Sequence, residues 1–284
     1  MKDLLIRSLT GILFVAILVG AIMWNKYAVA ILFFIISLIG LNEFFFLMIK
    51  SGFKPKKSIT TIIGAIIYFI ISLYSFSFGE YTYKFLLFIF PLLVLLVVIE
   101  IFRKNETPIS NIAFSIMGIL YVVIPFAILN FFAYESTYSD LIKIEDGQHN
   151  FWLLLGFFLL QWSNDTGAYL VGSLFGKNKM TPEISPNKTW EGAIGGFVLS
   201  LIVAYVISYF TCSSLVHWLA ISAIVVVFGT IGDLTESRIK RTCGVKDSGS
   251  IMPGHGGILD RFDGVLFSAP FVLAYLHIFN LFNL

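Results

Sequence analysis

Long apolar runs alternate with short polar segments along the whole chain. A helix that crosses the hydrocarbon core of a bilayer needs about 20 apolar residues, and runs near this length recur nine times. The predicted spans are residues 9–24, 27–49, 59–78, 85–102, 112–133, 151–171, 192–210, 215–231 and 264–282. The pattern predicts an all-α integral membrane protein with about nine transmembrane helices.

The composition agrees with this prediction. Of the 284 residues, 58% are hydrophobic and 13% are charged, which is far from the balance of a soluble domain. We interpret the first span as a retained helix, because no small-residue cleavage site of a secretory signal peptide follows it.

Positive charges fall almost entirely on alternate loops. With nine spans, sixteen of the 19 Lys and Arg residues lie on one side, and only Lys26, Lys84 and Lys143 lie on the other. Short loops rich in Lys and Arg stay in the cytoplasm. The count predicts a multi-pass protein with a cytoplasmic N-terminus, an outside C-terminus, and its polar motifs on the cytoplasmic face. The expected location is the inner (plasma) membrane.

The polar motifs divide the chain into two predicted regions. Residues 1–150 form a transmembrane scaffold of about five spans, in which chemistry-bearing residues are few. Residues 151–284 form a catalytic transmembrane region of about four spans, with cytoplasmic motif loops at 172–191 and 232–263.

Two glutamates of the scaffold, Glu43 and Glu100, lie within or at the ends of apolar runs. Carboxylates at membrane depth are costly, so each is a candidate for a functional site. We favour structural roles: Glu43 as the partner of Asn42 or of a neighbouring helix, and Glu100 as a group that reaches the interface.

The first motif loop combines a helix start with positive charge. Asp165 lies inside the preceding apolar run and must be paired or line a wet cavity. Thr189 is a predicted N-cap with Glu191 in the first turn of the next helix. The positive end of that helix, beside Lys188 and close to Ser185, is a natural place for a phosphate group.

The second motif loop begins and ends with carboxylates. Asp233 follows the eighth span, and Asp260 and Asp263 precede the ninth. Both helix ends are predicted on the same membrane surface, so these side chains can converge. Oxygen ligands without a cluster of His or Cys suit magnesium.

The same loop balances five negative with five positive charges, the latter being Arg238, Lys240, Arg241, Lys246 and Arg261. A surface lattice of ion pairs is one explanation. Five glycines between residues 244 and 257 argue for another, because a glycine-rich backbone can approach a phosphate closely. His255, flanked by three of these glycines, is interpreted as a hydrogen-bond donor or acceptor at a site.

These residues resemble the signature of the phosphatidate cytidylyltransferases, also called CDP-diacylglycerol synthases. The likeness is strong over residues 160–264, and Met252 departs from the family's Leu, Ile or Phe. It includes the blocks DTGAY, FGK, ISPNKTWEG and GDLTES. The signature residues are Ser237, Lys240, Arg241, Lys246, Asp247, Pro253, His255, Gly256, Gly257, Asp260, Arg261 and Asp263.

The resemblance implies a magnesium-dependent reaction in which CTP and phosphatidate give CDP-diacylglycerol and pyrophosphate. A second metal ion or a monovalent cation beside the magnesium stays open. It also implies a homodimer, and no nucleic acid partner is expected. On this hypothesis the metal ligands are Asp233, Asp260 and Asp263, with Asp165 as a further ligand. The other predicted catalytic residues are Lys246 and His255, and the predicted substrate-binding residues are Ser185, Lys188, Thr189, Arg238, Lys240, Arg241 and Arg261.

Three other functions compete with this one. A CTP-dependent kinase of a lipid alcohol would need a base for the hydroxyl and would release CDP. A phosphatidyl-alcohol transferase is disfavoured, because the residues after Asp263 do not continue as its D-G-x-x-A-R block requires. A transporter would explain Glu43, Asn164 and Asp165 at depth, yet it leaves the Pro-Gly-His-Gly-Gly turn without a role, and no strong internal repeat supports it.

Overall fold

The computed structural model describes residues 2–77, 83–134, 151–249, 251 and 256–282. This part of the chain is helical apart from one short hairpin. The helices are α1 (Lys2–Trp24), α2 (Lys26–Lys50), α3 (Lys57–Ser77), α4 (Tyr83–Leu86), α5 (Ile89–Ile101), α6 (Pro108–Gly118), α7 (Ile124–Tyr134), α8 (Phe151–Phe175), α9 (Trp190–Thr211), α10 (Leu215–Thr242) and α11 (Leu259–Phe282), with a π-helical turn at Ile119–Val123 between α6 and α7.

Seven helices of the described part are long and apolar enough to cross a membrane. They consist of α2, α3, α4 with α5, α6 with α7, α9, α10 and α11. The chain is therefore a helical protein of the membrane, as the hydropathy pattern predicts. The count of nine spans, which adds α1 and α8, and the orientation of the termini stay predictions.

Two compact units make up the fold. The first consists of Met1–Phe131 and Ile239–Phe262, and the second of Phe132–Arg238 and Asp263–Leu284. The unit boundaries fall inside α7, inside α10 and near the start of α11, so each of these three helices contributes to both units. The predicted division at residue 150 is a division by function, and it stays a prediction.

Helices α10 and α11 extend beyond the apolar runs that predict them. Helix α10 ends at Thr242 and not near 231, and α11 begins at Leu259 and not near 264. Hydropathy marks where apolar surface ends, whereas helical hydrogen bonding continues through polar residues with good helix propensity. The expectation that residues 232–263 form one loop is therefore wrong at both ends: the acidic and basic residues there lie largely on helices.

A glycine ends α10. The amide of Gly244 donates to the carbonyl of Arg241 at 3.0 Å, and the amide of Val245 donates to the carbonyl of Lys240 at 2.9 Å. Gly244 has φ of +68°, a conformation that residues with a Cβ rarely adopt. This pattern is that of a helix terminated by a left-handed glycine.

The first motif loop also differs from its prediction. Helix α8 continues to Phe175, and the rest of the loop holds an antiparallel hairpin of β1 (Lys179–Thr181) and β2 (Ser185–Thr189). The purely α-helical fold class missed these strands. They are three and five residues long, too short to show an alternating pattern of apolar and polar residues.

Within the first unit, aromatic rings pack around the start of α11. Phe262 contacts Phe126 with ring centroids 5.1 Å apart, and Phe33 with centroids 6.5 Å apart, both edge to face. All three side chains are at most 1% exposed. Buried aromatic pairs of this kind stabilise beyond the area they bury, so they hold Phe262 and the adjoining Arg261 in place.

Within the second unit, α8 and α9 approach closely at small residues. A Cβ built on Gly196 would lie 2.5 Å from Oδ1 and 2.7 Å from the carbonyl oxygen of Asn164. Such close approach is the commonest use of glycine between membrane helices. We expect Gly196→Ala to lower the free energy of unfolding by about 1–3 kcal/mol, because the backbones must separate.

A thermal unfolding measurement in detergent checks this expectation. The matched control is Gly20→Ala in α1, because a Cβ at Gly20 would meet nothing within 4 Å. Equal melting temperatures for the two variants would contradict the close packing of α8 on α9.

Candidate functional site

A cavity of about 570 Å³ lies in the second unit, bounded by α8, the hairpin, α9 and α10. Glycines form part of its wall, at Gly172, Gly192 and Gly229, so the backbone itself is accessible there. Its polar lining residues include Asn164, Asp165, Lys179, Lys188, Thr189 and Asp233. The predicted residues Asp165, Lys188, Thr189 and Asp233 thus face one space.

The start of α9 forms the wall beside Lys188. Thr189 is 4% exposed, and its Oγ1 accepts a hydrogen bond from the amide of Gly192 at 3.1 Å. The predicted N-cap is therefore confirmed. Glu191 turns back to accept from the amide of Asn178 at 3.1 Å and from that of Lys177 at 3.2 Å. These bonds tie the start of α9 to the segment that follows α8.

Lys188 forms an ion pair with Asp233. The two side chains are 24% and 39% exposed, so water reaches both. Ser237 Oγ also donates to Asp233 Oδ1, at 3.4 Å. Asp233 therefore has a positive partner that is not buried, and another cation or an anionic ligand can compete for either member of the pair.

Asp263, near the start of α11, has other acidic groups in its neighbourhood. Its Oδ1 accepts from the amide of Gly264 at 2.7 Å, and Asp165, Asp233 and Glu236 lie near enough to act on its charge. Like charges gathered in a partly apolar environment repel one another and favour a cation.

Gln161 adds an oxygen to this acidic region. Its Nε2 is 3.4 Å from Asp165 Oδ1, whereas its Oε1 is buried and accepts no hydrogen bond in the described part of the chain. Carboxylate and amide oxygens together suit a hard divalent cation. Among the described residues, however, no three His, Cys, Asp or Glu side chains are gathered as a preformed metal cluster.

In the first unit, Asp260 accepts several hydrogen bonds. Its Oδ1 pairs with Lys240 Nζ at 2.5 Å. Its Oδ2 accepts from the amide of Gly257 at 2.7 Å, and from the amide and the Oγ of Ser248 at 3.0 Å each. The side chains of Asp260 and Lys240 are 10% and 12% exposed. Asp260 therefore holds Lys240 and the backbone at Ser248 and Gly257 together.

The two scaffold glutamates have partners, as their structural interpretation requires. Glu43 binds residues that precede and begin α11, at Ser248 Oγ and at the amides of Ile258 and Leu259. Glu43 does not pair with Asn42, one of its two expected partners, because Asn42 Nδ2 donates to the carbonyl of Leu38. Glu100 is 3% exposed and accepts from Asn105, Asn111 and Arg103.

The other described site residues that were predicted are exposed or half-buried. Exposed cations are Arg238, Arg241, Lys246 and Arg261, and Ser185 is half-buried in β2. Arg241 Nη1 is 3.5 Å from the carbonyl oxygen of Val245. His255 lies outside the described residues.

Two residues of these contacts were missed, Ser248 and Gln161, and Glu43 was a candidate for which a structural role was favoured. Only Glu43 carried a signal in the sequence, as a carboxylate in an apolar run. Ser248 and Gln161 are ordinary polar residues, and their importance depends on neighbours that only folding supplies.

Known proteins resemble this chain along nearly its whole length. The profile of the family described as the cytidylyltransferase family matches residues 5–279. A phosphatidate cytidylyltransferase of Staphylococcus haemolyticus is 38% identical over 268 residues, covering 93% of this chain and 96% of the relative. That of Staphylococcus epidermidis is 36% identical over the same length and the same shares. That of Staphylococcus saprophyticus is 46% identical over 172 residues, 60% of this chain and 61% of the relative.

Proposed function

Because the chain belongs to the cytidylyltransferase family, we propose that it is a phosphatidate cytidylyltransferase of phospholipid biosynthesis. It transfers the cytidylyl group of CTP to phosphatidate and yields CDP-diacylglycerol and pyrophosphate. The structural observation that carries the proposal is the cavity of the second unit, where Lys188 and the carboxylates of Asp165 and Asp233 line one space. This reaction requires cationic side chains that bind phosphates, and it requires carboxylates that bind a metal ion.

The chemical step is a substitution at the α-phosphorus of CTP. An oxygen of the phosphatidate phosphate forms the new bond to this phosphorus, and the bond to the bridging oxygen of the β-phosphate breaks. The leaving pyrophosphate takes the electron pair. Because the attacking phosphate oxygen is already anionic, no residue is assigned as a general base.

Magnesium is the cofactor that fits the acidic region of the second unit. Asp233 and Asp263 would hold it, with Asp165 as a further ligand. Asp260, in the first unit, stays a proposed metal ligand. When bound, the ion neutralises charge on the phosphates during transfer. Lys188 now pairs with Asp233, so binding at Asp233 would release the Lys188 ammonium for a phosphate. A second metal ion or a monovalent cation is compatible with the number of oxygen donors.

Two sets of residues are proposed to bind the phosphates, with guanidinium groups suited to bidentate contacts. His255 would orient one phosphate group. The second unit contributes Ser185, Lys188, Thr189 and Arg238, and the first contributes Lys240, Arg241, Lys246 and Arg261.

The membrane arrangement is part of the proposal. Phosphatidate lies in the bilayer and CTP in the cytosol, so the reaction belongs at the cytoplasmic face. The distribution of Lys and Arg supports nine spans, a cytoplasmic N-terminus and an outside C-terminus in the inner (plasma) membrane. We also propose a homodimer, in line with the family.

A product assay tests the function. Purified protein in detergent, given CTP, magnesium and phosphatidate, should release pyrophosphate and form an equal amount of CDP-diacylglycerol. Diacylglycerol in place of phosphatidate is the matched control, because it lacks the attacking phosphate, and a chelator should stop the reaction. Release of CDP with a lipid alcohol, and no pyrophosphate with phosphatidate, would instead identify a CTP-dependent kinase.

A further inference from the structure

Glu43 is a buried carboxylate whose two oxygens both bind a distant part of the chain. The residue lies in α2 and is 5% exposed. Its Oε1 accepts from the amide of Ile258 at 2.9 Å, and its Oε2 accepts from the amide of Leu259 at 3.0 Å and from Ser248 Oγ at 3.1 Å. A carboxylate at this depth is costly unless donors surround it, and these three donors offset the cost.

Two of these bonds determine how α11 begins. The amides of Ile258 and Leu259 lie at the N-terminus of the helix, where backbone N–H groups have no partner inside the helix. A negative charge at this end is favourable because of the helix dipole. The cap of α11 is therefore a side chain from α2, more than 200 residues earlier in the chain.

The backbone on both sides of the carboxylate is shaped to admit it. A Cβ built on Gly249 or on Gly257 would lie 2.8 Å from the carboxyl carbon of Glu43. Real Cβ atoms do not approach so closely, so any larger residue would displace either the loop or Glu43. Glycine at these two positions has a packing reason that the sequence alone does not reveal.

Ser248 connects Glu43 to the proposed reaction residues. Its Oγ is 3.1 Å from Glu43 Oε2 and 3.0 Å from Asp260 Oδ2, and its single proton serves one acceptor at a time. Asp260 in turn pairs with Lys240 at 2.5 Å. A continuous set of contacts therefore runs from α2 to Asp260 and Lys240, all within the first unit.

We propose that Glu43 is a positioning residue for cytidylyl transfer. It holds the backbone at Ser248 and at Gly257–Leu259, and so determines where Asp260 and Lys240 lie. Both of its oxygens accept hydrogen bonds from the protein, and its side chain is buried, so its role is to hold the backbone. The inference rests on the proposed function in one respect, the identity of the reaction. The contacts of Glu43 do not depend on that function.

The test compares Glu43→Gln with Glu100→Gln in the full-length protein in detergent. Glu100 is the matched control, because it is a buried glutamate of the same unit that binds Asn105, Asn111 and Arg103. We expect Glu43→Gln to speed hydrogen exchange of the Ile258 and Leu259 amides about tenfold, the equivalent of one hydrogen bond. Exchange in α8 and α9 should not change.

Kinetics give the second readout. Because Glu43 acts through Asp260 and contacts no substrate, Glu43→Gln should lower kcat by about tenfold or more and leave KM for CTP within about threefold. Glu100→Gln should leave both constants within about threefold, as a substitution away from the reaction does. Local exchange that rises with an unchanged kcat would overturn the positioning role, and so would unchanged exchange at Ile258 and Leu259.

Ser248→Ala keeps the inference testable if Glu43→Gln does not fold. It removes the hydroxyl link without removing a buried charge, and it should also lower kcat and speed exchange at Ile258. In the double variant the loss in kcat should be smaller than the product of the two single losses, because both residues act through one set of contacts. Independent effects would overturn the proposal. If the wild type releases no pyrophosphate while Glu43→Gln still speeds exchange at Ile258 and Leu259, the proposed function would be refuted and the contacts of Glu43 would stand.

Discussion

Asp233→Asn is expected to lower kcat/KM for pyrophosphate release by about a hundredfold or more, because it removes a proposed magnesium ligand from the cavity. Asparagine keeps the size of the side chain and loses its charge. The fold should survive, since Asp233 is 39% exposed and its ion pair with Lys188 is open to water. Initial rates over a range of CTP and magnesium concentrations measure the loss. The variant should need a higher magnesium concentration than the wild type to reach half of its maximal rate.

Two companion variants separate a metal ligand from a simple partner of Lys188. Glu183→Gln changes an exposed carboxylate in the turn between β1 and β2 and should leave the rate unaltered. Asp233→Asn combined with Lys188→Gln removes both charges of the ion pair. If Asp233 served only to neutralise Lys188, Asp233→Asn would leave the magnesium concentration for the half-maximal rate unchanged. We expect that concentration to rise in both variants that carry Asp233→Asn, and the double variant to be the less active one, because Lys188 is itself proposed to bind phosphate.

Asp260→Asn should lower kcat by about a hundredfold and also destabilise the protein by about 1–3 kcal/mol, because hydrogen bonds to a largely buried group are lost. An amide cannot satisfy the surroundings of Asp260 in either orientation. In one orientation of the asparagine side chain, its NH2 group faces the ammonium of Lys240. In the flipped orientation, the NH2 group faces the amides of Ser248 and Gly257. The buried ammonium of Lys240 also loses its ion pair with Asp260.

Rates and thermal unfolding of the same preparation measure both effects. Glu106→Gln is the control: Glu106 is an exposed carboxylate of the first unit, so its substitution should change neither quantity. A stable Asp260→Asn protein with the wild-type rate would show that this carboxylate is needed neither for the metal nor for the position of Lys240.

Both variants concern residues that the sequence identified, although their local structure was assigned differently. Asp233 and Asp260 were expected in a loop, and each lies on a helix. The residue types were recognisable because carboxylates, cations and glycines occur at the spacing of a known signature. The helix ends were not, because apolar runs indicate only where a helix meets the membrane.

The sequence by itself determined the features that depend on local composition. Apolar runs of sufficient length predict membrane helices, because every backbone polar group must be satisfied within the bilayer and a helix achieves this alone. Thr189 followed by Glu191 predicted the start of α9, since capping involves residues within one turn. The signature between Ser237 and Asp263 indicated the family, which the match over residues 5–279 confirms.

Only the tertiary structure decided which side chains meet. The bonds of Glu43 span 205 to 216 positions, and no local pattern encodes a contact between residues so far apart. The pairing of Lys188 with Asp233 is likewise not encoded locally. The glycines at 249 and 257 are needed because the Glu43 carboxylate packs against both of them. These contacts depend on how the helices pack, and packing follows from the shapes of many side chains together.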